Sequence, residues 1–123
     1  MRDHKKLRAF ELADEVVILI YQLTQKFPSQ EMYGLTAQTR RAAVSVTSNI
    51  VEGCSRESQS EYFRFLEIAY GSLRELEYQI NLAIKLGFIN SQEASGCLCK
   101  IEETLKVLGS LVLSMRSRRQ PKD

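Results

Sequence analysis

Residues able to do chemistry are few in this chain of 123, and they do not gather into a reacting set. Its one histidine, His4, precedes the first helical pattern. A lone terminal histidine leaves a serine or cysteine nucleophile without an evident base. It also cannot supply the paired Glu-x-x-His motifs that hold two metal ions inside a helical bundle. Cys54, Cys97 and Cys99 form neither an even set nor a Cys-x-x-Cys, so neither a disulfide framework nor a zinc knuckle is expected. Three unpaired thiols suit a reducing cytoplasm, where they act as small apolar fillers. The six glycines, at 34, 53, 71, 87, 96 and 109, build no phosphate-cradling loop. The expectation is a protein that is not an enzyme, with no catalytic residues, no metal and no organic cofactor.

Charge offers more than nucleophiles do. The net charge is only +2, but it is unevenly spread. Arg2, Lys5, Lys6 and Arg8 stand against Asp3 in residues 1–8. Arg116, Arg118, Arg119 and Lys122 stand against Asp123 in residues 116–123, so each end carries +3 and the body between them −4. Two internal polar clusters add to this. Arg40-Arg41 is read as a phosphate or partner contact, or else as an exposed pair or salt bridge to a neighbouring helix. Asn49, Glu52, Arg74, Glu75 and Glu77 are read as a network, structural or partner-binding, in which Glu52 pairs with an arginine on the third helix.

The elements that must carry these residues are helices. Apolar residues are 44% and charged residues 26%, with two prolines and no tryptophan, an ordinary soluble composition poor in turn formers. The longest apolar run, Val16 to Ile20, is far short of the ~18 residues that span a bilayer. The first helix, from Leu7 to Phe27, has one stripe at Phe10, Ala13, Val17, Ile20, Thr24 and Phe27, and a second at Leu12, Val16, Leu19 and Leu23. The second stripe is taken as surplus to a bundle core, and so as an oligomer interface. A second helix runs from Thr36 to Gly53 on the stripe Thr39, Ala43, Val46, Ile50. Ser58-x-x-Glu61 reads as a capping box that opens a third helix, with an unbroken heptad seam at Tyr62, Leu66, Ala69, Leu73, Leu76, Ile80 and Ala83. Gly87 ends it. A fourth helix begins at Asn90 or Ser91 and repeats the seam at Ala94, Leu98, Ile101, Leu105, Leu108, Val112 and Met115. Short links force antiparallel neighbours. The fold expected is an all-α, up-down-up-down four-helix bundle forming a single domain over 1–123. Its two basic ends then share one pole with Arg56.

A longer pattern runs through the second and third helices: Phe27-Pro28, Glu31-x-Tyr33-Gly34-Leu35, Gln38-x-Arg40-Arg41-Ala42-Ala43-Val44-Ser45, Ser48-Asn49-Ile50-x-Glu52-Gly53, Arg56, Phe65-Leu66 and Gly71-Ser72-Leu73-x-Glu75-Leu76-Glu77. Over residues 7–115 this resembles the proteins named for open reading frames in intervening sequences of bacterial 23S ribosomal RNA genes. Val46-Thr47 stands where that family often has Ile-Pro, and Phe10-Glu11 where Trp-Gln is usual. The resemblance implies a cytosolic bacterial protein, a left-handed antiparallel bundle and a ring-shaped homopentamer. It also implies a distant likeness to accessory proteins of diversity-generating retroelements, which bind nucleic acid and a reverse transcriptase.

The combined expectation is a non-enzymatic, cytoplasmic, oligomeric binding module without a membrane segment. It contacts RNA or DNA through Arg2, Lys5, Lys6, Arg8, Arg40, Arg41, Arg56, Arg116, Arg118, Arg119 and Lys122. The alternative is a protein–protein adaptor without nucleic-acid affinity, which the acidic body favours. In a pentamer the two ends would sum to a ring of about 30 positive charges, a field that attracts polyanions.

Overall fold

The computed structural model describes residues 2–119. Four helices account for most of them: α1 (Arg8–Thr24), α2 (Leu35–Cys54), α3 (Gln59–Lys85) and α4 (Ser91–Arg119). Single 3₁₀ turns precede α1 at His4–Lys6 and α2 at Ser29–Glu31. Among the described residues there are no strands.

The helix ends follow local chemistry. Ser58 Oγ accepts the Glu61 amide at 3.0 Å and opens α3. At α4 the box is reciprocal: the Asn90 side chain accepts the Glu93 amide at 2.8 Å, and the Glu93 carboxylate accepts the Asn90 amide at 2.9 Å. Gly87 has φ +80°, and the Phe88 amide reaches back to the Ala83 carbonyl, so the α3 terminus is a Schellman turn. α1 stops three residues before the expected Phe27. Pro28 disfavours helical backbone at the residue before it, and residues 24–27 tighten into i to i−3 hydrogen bonds. Phe27 is nonetheless buried, packing at 5.8 Å from Phe88.

Contacts between neighbours run in opposite directions. Arg8 and Glu15 of α1, and Lys26 just beyond it, meet Glu103, Lys100 and Glu93 of α4. Ser45 meets Ser72 and Gly53 meets Phe65 across α2 and α3, while Tyr70 lies against Gly109 and Gln59 meets Met115 across α3 and α4. The bundle is therefore antiparallel. Every α3 seam position is buried, and so is every α4 seam position except half-buried Leu98. α3 and α4 are ~40 Å long and α1 only ~25 Å, at 1.5 Å per residue. Beyond Glu103, the partner of Arg8, α4 continues for about 24 Å.

The tightest approach is at Gly53, where an added Cβ would stand 2.9 Å from Phe65 Cβ. Gly71, in the exposed middle of α3, has open space around it. Gly53→Ala should therefore cost about 1–3 kcal/mol through overpacking. Gly71→Ala should add about 0.5–1 kcal/mol through helix propensity. The urea midpoints of the two variants, moving in opposite directions from that of the parent chain, are the check.

Candidate nucleic-acid interface

Arg2 ties the amino terminus to the turn between α2 and α3. Its amide donates to the Cys54 carbonyl at 3.2 Å, and its guanidinium lies 3.9 Å over the Tyr62 ring. The same guanidinium donates to the Arg56 carbonyl and to the Gln59 side chain. Gln59 in turn donates to Met115 Sδ at 3.7 Å, which brings in the end of α4. Arg2, the α2–α3 turn and the end of α4 thus meet at one pole, as an even number of antiparallel helices requires.

The cations of the two ends and of the α2–α3 turn are less free than their sum suggests. Arg8 pairs with Glu11 and, at 3.2 Å, with Glu103. Arg56 pairs with Glu52 at 2.8 Å, and Arg116 with Glu67 at 3.3 Å. Lys5, Lys6 and Arg118 are exposed and have no carboxylate partner among the described residues. Lys122 and the side chain of Arg119 lie outside the described residues. Exposed pairs such as these contribute about 0–1 kcal/mol each, so an incoming phosphate can replace the carboxylate at little cost.

Arg40 and Arg41 do not join this cluster; they sit towards the other end of the bundle. Arg40 closes α1. Its Nε donates to Thr24 Oγ1 at 2.8 Å, its Nη2 points to the Tyr21 carbonyl, and its guanidinium stacks 4.6 Å over the Tyr21 ring. Arg41 is exposed and has no ion pair among the described residues. Both border an open groove of about 610 Å³ with Tyr21, Met32, Tyr33 and Val44. Tyr33 is 94% exposed. These apolar residues were not legible as a site from the pattern of elements. The signal available was two large apolar residues, Met32 and Tyr33, inside a connection.

Two expectations are corrected. Asn49, Glu52, Arg74, Glu75 and Glu77 do not form one network; of the five, only Arg74 and Glu77 bond to each other. Asn49 bonds within its own helix to Ser45, and Glu52 to Arg56. Arg74 bonds to Glu77, and Glu75 accepts from Gln79. Glu52 faces the α1–α2 furrow while Arg74 faces α4, so the two are on different sides of the bundle. The Leu12, Val16, Leu19, Leu23 stripe is not surplus either. Leu12, Val16 and Leu23 are buried within the single chain, and Leu19 is half-buried against its core. α1 packs between α2 and α4, so it needs a wide apolar arc. The surplus apolar residues on α1 are Ile18 and Tyr21.

The thiols are poor nucleophiles in the positions that the fold gives two of them. Burial pushes Cys97 from its ordinary 9.0 up to about 11 and also raises Cys54, where nearby Arg2 partly opposes it. Cys99 is exposed. Among the described residues no group of three or more His, Cys, Asp or Glu side chains comes together as a metal site. No helix among them is long and apolar enough to cross a membrane.

Comparison with known proteins gives one family and one fold. The family model of the 23S rRNA-intervening sequence protein matches residues 5–110. The fold is similar to the crystal structure of a protein of unknown function from the S23 ribosomal protein family of Bacteroides thetaiotaomicron. The TM-score is 0.76 and the identity 21%, over 85% of this chain and 94% of that one. No curated protein matches.

The buried thiol makes stability fall in alkali. The folded chain holds the Cys97 proton up to about 11, while an unfolded chain releases it near 9.0. Between those values the folded state binds more protons, so stability decreases as pH rises, by at most about 3 kcal/mol. Urea unfolding at pH 8 and pH 11 measures the loss, and Cys97→Ala should reduce it.

Proposed function

We propose that this chain, which belongs to the 23S rRNA-intervening sequence protein family, is a non-enzymatic binding module that holds RNA or DNA at the pole where its ends meet. The observation that supports this reading is twofold: Arg2, Arg56 and the end of α4 come together at that pole, and Lys5, Lys6 and Arg118 are exposed with no carboxylate partner among the described residues. Phosphate oxygens are the ligands such a surface suits. Lysines supply point charges, and arginines can exchange an exposed carboxylate for a bidentate phosphate. The contacts are to backbone rather than base edges, so the reading is of affinity with little sequence preference. In this reading the protein works in the bacterial cytoplasm as a homo-oligomer, a ring of five being what the family resemblance implies. Repetition of the pole around the ring multiplies a modest charge into a field able to steer polyanions. Arg40 and Arg41 stand outside this surface.

The test is binding of a 20-base-pair RNA hairpin by the full chain and by the triple variant Lys5→Ala, Lys6→Ala, Arg118→Ala. At 50 mM salt the variant should bind about tenfold or more weakly. Its salt slope should be shallower by about 2–3 per chain, since each lost phosphate contact removes about 0.7–0.9. Equal affinity and equal slope would overturn the nucleic-acid reading and leave the protein–protein adaptor in its place. Solution mass, measured alongside, reports the oligomer.

A further inference from the structure

A second surface stands away from the terminal pole. The furrow between α1 and α2 is apolar towards the 3₁₀ turn, where Tyr21, Met32, Tyr33 and Val44 line it. It continues past Ser48 to Phe10 and Val51 at the other end. Its charge is opposite at its two ends. Arg40 and Arg41 have no carboxylate partner among the described residues, and Asp14 at the far end has no cation partner among them.

We propose that this furrow docks an amphipathic helix of another protein, with an acidic residue of that helix received by Arg40 and Arg41. The shape fits, because a helix of about 16 residues spans ~24 Å and lays one apolar stripe into a groove between two others. Composition fits as well: tyrosine, methionine and arginine are enriched where proteins bind each other. Arg40 is held in advance by its Thr24 bond and its Tyr21 stacking, so little side-chain freedom is lost when a carboxylate arrives. A nucleic acid is anionic along its whole length. It would be drawn to Arg40 and Arg41 but repelled by Asp14 at the other end, where Glu52 is already paired with Arg56. A second copy has no free apolar stripe to offer from α3 or α4, where the exposed Ile68, Tyr78 and Leu113 stand singly. The site stands independently of nucleic-acid binding at the pole.

The experiment uses the full chain and a labelled 16-residue model helix. Its apolar stripe is leucine, two glutamates sit at one end and two lysines at the other; a twin has glutamine for glutamate. Fluorescence anisotropy should show the glutamate helix binding about tenfold tighter than its twin. Arg41→Gln should abolish that difference, and Tyr33→Ala should weaken both helices about fivefold or more. The solution mass of both variants should equal that of the parent. Equal binding of the two helices overturns the proposal, as does no binding of either. A changed solution mass would assign the furrow to a second copy, and displacement of the helix by a 16-nucleotide oligouridylate would assign it to nucleic acid; each overturns it too. Loss of hairpin binding by the triple variant at the pole leaves these expectations unchanged.

Discussion

The closeness of α2 to α3 is the constraint on which the rest of the bundle depends. It is set where Gly53 lies against Phe65 and kept by Ala42, Ala43 and the Ser45–Ser72 hydroxyl pair at 2.9 Å. Small side chains let two backbones approach, and dense packing then resists any added methyl group. The same register brings Thr39 level with Gln79, both buried. Thr39 Oγ1 and Gln79 Oε1 lack partners among the described residues, a polar cost that the surrounding packing offsets. With its small residues committed to α3, α2 turns Val44, Ser48 and Val51 outward, and the furrow beside α1 results.

Most of the fold was legible because it is written in period. The seams of α3 and α4 repeat every three and four residues without a break, and the Ser58 box and Gly87 mark ends by rules local to a few residues. The boundary of α1 was missed because the stripe continues through Phe27. Burial of that ring does not require helix, and Pro28 decides the backbone. The wide arc of α1 was misread because periodicity counts stripes but does not say how many neighbours a helix has. Leu12 and Ile18 look alike in the sequence, yet one is fully buried and the other largely open to solvent.

Charged side chains were the hardest to read. Their partners depend on azimuth around each helix, and a difference of one residue rotates a side chain by ~100°. That rotation sends Arg40 to the end of α1 and leaves Arg41 exposed. It also sends Glu52 and Arg74 to different furrows. Topology alone brings Arg2, Arg56 and the end of α4 together, but topology could not show that Glu11, Glu52, Glu67 and Glu103 would be waiting beside Arg8, Arg56 and Arg116. A count of lysines and arginines therefore overstates the field at that end.

The ion pairs that join α1 to α4 carry a kinetic meaning. Arg8 and Glu103 are 95 residues apart in the chain, whereas α2 and α3 pair across a turn of a few residues. Closing a long loop costs more entropy than closing a short one, and it is compensated only once both surfaces are ready. The α2–α3 hairpin is thus the natural nucleus of folding, followed by the α3–α4 hairpin with its heptad seam. α1 docks last into the trough between α2 and α4. Substitutions in α1 should then act mainly on how fast the bundle opens, and substitutions around Gly53 on how fast it forms.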